Sequence, residues 1–180
     1  MTTPPPTVVA RDVLHAGRKF NFERLTIRTP AGATIHREII RHPGAVVVVP
    51  ILPDGRVVLI RVHRHALERD NVECCAGTIE RGEAPDRCAA RELIEETGYE
   101  AATLIPLGSF WTTPGMTDER MHAFVATGLR PVGQDLEEDE TITVLPVASG
   151  EALAMIERGE LADAKSMIAI LLAERRGLLH

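Results

Sequence analysis

Between Gly44 and Pro50 the chain reads Ala45-Val46-Val47-Val48-Val49, without one polar side chain. Successive strand residues point to opposite faces, so an apolar run with no alternation fits a strand buried on both faces. A sheet built around such a strand must be covered on each side, which favours layers of helix and strand over a bundle or an all-β barrel. A chain of 180 residues, 44% hydrophobic, is long enough to build that core as one domain with a small appendage.

Residues 1–8, with Pro4-Pro5-Pro6, form a loose lead-in. Phe20–Arg28 and Thr34–Arg41 are β-rich, and Thr29-Pro30-Ala31-Gly32 between them has turn chemistry, so residues 1–42 hold an antiparallel hairpin element and residues 43–180 the main domain. His42-Pro43-Gly44 separates the two, and Pro53-Asp54-Gly55 turns the apolar run back into Arg56–Val62. A helical pattern spans Pro85–Thr97, with Pro85 in the first turn and Gly98 as the stop. Strand-like segments return at Thr103–Trp111, Arg120–Ala126 and Thr141–Val147. Ser149 is placed to cap a short helix ended by Gly159, and Asp163 a longer one to Arg176. The fold class is α/β.

Composition excludes several functions. Lys+Arg 20 against Asp+Glu 26 leaves a net charge of −6, which disfavours nucleic acid as a partner. No 18-residue apolar stretch marks a membrane span, and MTTPPPTVVARD lacks the basic start and apolar run of a signal peptide. Cys74, Cys75 and Cys88 are too few and too close for a disulfide framework and do not match zinc spacing, so they read as reduced structural thiols of a cytoplasmic protein.

The chemistry concentrates in Gly77–Tyr99, GTIERGEAPDRCAARELIEETGY. On a helix Glu92 and Glu96 share one face, and Glu95 lies near the same edge. With Glu83 they form a set of like charges that calls for a cation, and hard oxygen ligands suit Mg²⁺ or Mn²⁺. Arg91 offers a guanidinium to hold a carboxylate in place. Charge pattern alone also fits a solvated acidic helix face.

The segment resembles the Nudix box, with Gly77, Glu83, Arg91, Glu92, Leu93, Glu95, Glu96 and Gly98 at that motif's spacings and Tyr99 at its last apolar position. Seven fixed identities at ordinary residue usage arise by chance on the order of once in a million such chains. The resemblance implies a Nudix α/β/α sandwich with a mixed sheet, and hydrolysis of a nucleoside diphosphate linked to another moiety. It implies Glu92 and Glu96 as the main metal ligands, assisted by Glu95, Glu83 and the Ala76 carbonyl, with Glu95 also among the catalytic groups. Gly77, Arg91 and Gly98 would support the box.

A second resemblance, to the ADP-ribose pyrophosphatase branch of that family, runs from about residue 20 to 175. Pro114 stands fifteen residues beyond Tyr99, in Thr113-Pro114-Gly115-Met116-Thr117-Asp118-Glu119. Arg61-Val62-His63-Arg64 and Glu73-Cys74-Cys75-Ala76-Gly77 resemble two further motifs of the branch, with Thr113, His63 and Cys75 departing from its usual serine, tyrosine and proline. This implies Arg64, Glu73, Pro114, Gly115 and Met116 as substrate-binding residues, and a homodimer formed through the N-terminal strands. It also implies a general base in the acidic stretch before Thr141–Val147, Glu140 by position or else Glu138. Trp111 and Phe22 are candidates for base stacking or for core packing. The expected substrate is ADP-ribose, cleaved to AMP and ribose 5-phosphate. The alternatives are GDP-mannose or another sugar nucleotide, or a module that senses ADP-ribose without cleaving it.

Overall fold

The structure, a computed structural model, describes residues 4–136 and 140–179. In chain order these form β1 (Thr7–Ala16), β2 (Asn21–Arg28), β3 (Thr34–Arg41), β4 (Ala45–Pro50), β5 (Val57–Arg64), β6 (Arg69–Glu73) and β7 (Cys75–Thr78). There follow α1 (Pro85–Thr97), β8 (Tyr99–Glu100), β9 (Thr103–Trp111), β10 (Arg120–Thr127), β11 (Arg130–Pro131), β12 (Ile142–Val147), α2 (Ser149–Glu157) and α3 (Ala164–Arg175). Two units divide the chain: Met1–Gly44 with Trp111–Arg120, and Ala45–Phe110 with Met121–His180.

In the first unit β1, β2 and β3 make an antiparallel sheet in that order. Gly32, at φ 85°, closes the β2–β3 turn by donating its N–H to the Thr29 carbonyl at 2.9 Å. The sequence pattern marks residues 1–8 as a loose lead-in, but β1 already starts at Thr7 and runs beside the whole of β2. All ten of its residues are exposed, so backbone pairing makes the strand with no apolar face turned inward for a pattern to reveal. Residues 111–120 join this unit through a bridge between Ile40 and Thr117.

In the second unit β4 has β10 parallel on one side and β7 antiparallel on the other, giving a mixed sheet ordered β7-β4-β10-β9. A second sheet, β12-β5-β6, is antiparallel. The apolar run of β4 is buried on both faces, and alternation along it sorts its side chains into two cores. Ala45, Val47 and Val49 pack with Val57, Leu59 and the α3 residues Ala169, Ile170 and Ala173. Val46 and Val48 pack with Val58, Ile60 and the α1 residues Cys88, Ala89 and Leu93. The helices therefore lie on opposite sides of β4, as an α/β/α sandwich requires. Leu93 is fully buried, and truncating a side chain so placed to alanine costs about 2–5 kcal/mol.

Ser149 is the first residue of α2 and not its cap, and its hydroxyl donates to the Gly55 carbonyl at 2.7 Å. β6 and β7 form where no strand was expected, because each is short and is held by pairing with β5 or β4. Asp163 does cap α3, its side chain accepting the Ser166 N–H at 3.0 Å. Among the described residues no helix is long and apolar enough to cross a membrane.

Candidate active site

Pro85 at the start of α1 needs no N–H partner, and Gly98, at φ 73°, ends the helix by donating to the Ile94 carbonyl at 2.8 Å. A Cβ at Gly98 would stand 2.9 Å from the Gln134 backbone nitrogen, so glycine is needed for space as well as for conformation. The segment after β11 closes over this helix end. Val132 and Gly133 donate to the Gly98 carbonyl at 2.8 and 3.1 Å, Asp135 N–H to Glu95 at 3.1 Å, and Gln134 Nε2 to the Glu96 carbonyl at 2.7 Å. Carbonyls that a helix leaves without partners are thereby satisfied.

Arg91 gathers three carboxylates. Its Nε and Nη2 donate to Glu83 at 2.9 and 3.1 Å, and its Nη1 donates to Glu92 and Glu95 at 2.8 Å each. The Arg91 guanidinium holds the Glu83 carboxyl down at about 2, helped by the Glu80 N–H. Glu92 lies over Gly77 on β7: a Cβ there would come within 1.8 Å of its carboxyl carbon. Burial pushes the Glu92 carboxyl up, against the pull of Arg91.

Glu96 is only 5% exposed and meets the N–H of Ala76 at 2.9 Å. Burial drives its carboxyl up to about 8, the Ala76 N–H works against this, and the neighbouring Glu92 charge adds to it. The contact of Ala76 with the helix is thus through its N–H. Glu140, half-buried before β12, adds repulsion to both Glu92 and Glu96. Glu138 lies outside the described residues.

A second polar cluster surrounds Glu73, which is 1% exposed. Arg64 grips it with two parallel bonds, Nε to Oε1 at 2.8 Å and Nη2 to Oε2 at 2.7 Å. Asn71 Nδ2 adds a bond at 3.1 Å, and Lys165 Nζ reaches Oε2 at 2.5 Å. Burial opposes ionisation of Glu73, but the Arg64 fork and Lys165 outweigh it and hold the carboxyl at about 2. Arg64 also feels the charge of Glu96.

Pro114, Gly115 and Met116 lie in the first unit, exposed in a turn where Met116 N–H donates to the Thr113 carbonyl at 2.9 Å. The Met116 carbonyl accepts from Ile40 at 2.9 Å. Arg41 secures the end of the turn, donating to Asp118 at 2.6 Å and to Glu23 at 3.0 Å. Trp111 is 55% exposed with the Arg120 guanidinium over its ring, so it is not a core side chain.

The structure thus brings Glu83, Glu92 and Glu95 together on Arg91, and sets Glu140 and Arg64 within electrostatic reach of Glu96. Lys165 and Gln134 lie beyond what the sequence shows, because their partners are 92 and 38 residues away in the chain and no local spacing links them. Among the described residues no three His, Cys, Asp or Glu side chains stand converged on a metal position. The donor set nonetheless suits a hard divalent cation: it is all oxygen, and among the described residues no lysine or arginine forms an ion pair with Glu96.

The NUDIX domain family model matches residues 41–168, and the chain belongs to that family. It is 38% identical to the ADP-ribose pyrophosphatase of Bacillus subtilis (strain 168) over 164 residues, 90% of this chain and 89% of that protein. A GDP-mannose pyrophosphatase of Yersinia enterocolitica is 30% identical over 170 residues, 89% of this chain and 88% of the relative. A crystal structure of an ADP compounds hydrolase has the same fold, with a TM-score of 0.86 over 99% of this chain and 100% of that one, at 23% identity.

Two outcomes follow from these contacts. Gly77→Ala is expected to fold, because the group in the way is the free end of a flexible side chain, yet to drive the Glu92 carboxylate off Arg91. A crystal structure of the variant with the Arg91–Glu92 bond intact would contradict this. Because the folded-state pKa of Glu73 is depressed from 4.5 to about 2, its contribution to stability is present above pH 4.5 and is lost as pH falls toward 2. Thermal midpoints measured from pH 5 to 2.5 should therefore fall less steeply in Glu73→Gln than in the parent protein.

Proposed function

We propose that the chain is a divalent-metal-dependent pyrophosphatase that hydrolyses ADP-ribose to AMP and ribose 5-phosphate. The observation that carries this reading is Glu96, a buried carboxylate beside Glu92 that has a backbone N–H but, among the described residues, no ion-paired cation. Glu92 and Glu96, with Glu95, Glu83 and the Ala76 carbonyl, would hold Mg²⁺, with Mn²⁺ as the substitute. When bound, the ion neutralises pyrophosphate charge and lowers the pKa of water.

The chain's own groups supply the rest. Arg64 holds a phosphate through the edge of its guanidinium that Glu73 leaves open. Pro114, Gly115 and Met116 contact the substrate, and Gly77, Arg91 and Gly98 keep the carboxylates in place. Glu140 accepts the proton of the attacking water, with Glu138 as the alternative base. The water oxygen bonds to one phosphorus as the bond from that phosphorus to the bridging oxygen breaks, and the proton passes to solvent. The similarity to a GDP-mannose pyrophosphatase supports a second reading, the same reaction on that sugar nucleotide.

The N-terminal sheet supports pairing with a second copy. β1 is an edge strand with an unpaired backbone edge, and it exposes Val8, Val9, Val13 and Leu14. Three unpaired buried thiols, Cys74, Cys75 and Cys88, suit the reducing cytoplasm.

Product analysis tests the activity. With Mg²⁺ and ADP-ribose, AMP is the expected product, abolished by EDTA and reduced by several orders of magnitude in Glu96→Gln. Cleavage of GDP-mannose alone would transfer the assignment to that substrate, and binding of ADP-ribose without cleavage would make the chain a sensor. Sedimentation at micromolar concentration should give a dimer that Val13→Asp dissociates, whereas a fully active parent monomer would rule the pairing out.

A further inference from the structure

Lys165 has no part in the reaction as described, yet it is mostly buried, with 17% of its side chain exposed. Its ammonium sits between two carboxylates, Glu73 at 2.5 Å and Asp163 at 2.9 Å. Asp163 is itself fixed: its other oxygen accepts the Ser166 N–H at 3.0 Å and the Ser166 hydroxyl at 2.5 Å. The same hydroxyl oxygen accepts the Cys74 N–H at 2.8 Å, next along the chain from Glu73. Glu73 is therefore tied to the first turn of α3 through its side chain and through the neighbouring backbone.

The consequence falls on Arg64. Its Nε–Nη2 edge is taken up by both oxygens of Glu73, so the plane and direction of the guanidinium follow the carboxylate. The Nη1 end points away from Glu73, and the side chain keeps 39% exposure, against 2% for its partner. A carboxylate held by Arg64 alone could turn with it, and the pair would be neutral overall. A second cation on Oε2 stops the rotation and draws part of the negative charge off Arg64, leaving the outward edge more positive. An arginine set beforehand in one orientation binds an oxyanion with less ordering cost.

We propose that Lys165 is a positioning residue for substrate binding: acting through Glu73, it locks the Arg64 guanidinium in the orientation that receives a pyrophosphate oxygen. This rests on the reading of Arg64 as the phosphate-binding arginine. It differs from a plain structural role for Lys165, which would tether α3 and leave KM alone.

A double-mutant cycle on the full-length enzyme, with Mg²⁺ and ADP-ribose, separates the two. Lys165→Met is expected to raise KM about tenfold with kcat within about threefold of the parent, and Lys165→Arg, which keeps the charge, to stay within about threefold in KM. Arg64→Met is expected to raise KM at least as much, and the Arg64→Met/Lys165→Met enzyme to be no worse than Arg64→Met alone. An unchanged KM in Lys165→Met, or effects that multiply in the double variant, overturns the proposal. An unchanged KM in Arg64→Met overturns the reading of Arg64 and the proposal with it. Should Lys165→Met not fold, Glu73→Gln/Lys165→Met removes the buried charge together with its partner. That enzyme is expected to show a raised KM that adding Arg64→Met does not worsen, and a parental KM there also overturns the proposal.

Discussion

The Arg91 guanidinium meets Glu83, Glu92 and Glu95 within 3.1 Å, and the arrangement of the candidate site depends on it. Like charges one turn apart on a helix destabilise it by a few tenths of a kcal/mol per pair in water, and by more where solvent is excluded. One planar cation with five donors can satisfy several carboxylates at once, which a lysine ammonium with its point-like charge does less well. Arg91 thus allows a strongly acidic helix face to lie against β7, and Gly77 leaves the space in which Glu92 reaches it. Glu96 stays outside this arrangement. Its burial without an ion-paired cation among the described residues is an unfavourable position for a carboxylate, of the kind that persists where a ligand relieves it.

The rigidity under the site comes from β4. Its side chains alternate between two cores, so α1 on one side and α3 on the other are referenced to the same strand. The Glu92–Glu96 face of α1 and the Asp163–Lys165 turn of α3 are therefore carried by one layered unit. Two polar clusters flank the stretch Glu73–Gly77, one on Arg91 and one on Glu73, and the backbone of β7 runs between them. The segment at residues 132–135 closes the end of α1 by bonding the Glu95, Glu96 and Gly98 carbonyls.

Much of this was legible in the residues themselves. The apolar run at β4 called for burial on both faces, the carboxylate spacing on α1 for a shared helical face, Gly98 for a helix stop and Asp163 for a cap. These are readings of periodicity or of single-residue conformation, and each depends on neighbours within a few positions. β1 leaves no such mark because a wholly exposed strand has no apolar alternation, and β6 and β7 leave none because four or five residues are too few to show a period. Ser149 has the chemistry of a cap, but its hydroxyl bonds the Gly55 carbonyl, a partner 94 residues away.

By itself, then, the sequence determined the chemical type of the site: which carboxylates share a helix face, which arginine stands among them, and which family those spacings belong to. The tertiary structure decided how each group is held and charged. That Glu92 fits over Gly77, that Ala76 offers its N–H to Glu96, and that Lys165 sets the surroundings of Glu73 are consequences of packing between separate elements. Helical spacing is written in local backbone geometry, which repeats along the chain. Burial and charge compensation depend on which distant segments the two cores bring into contact, and no local spacing encodes that.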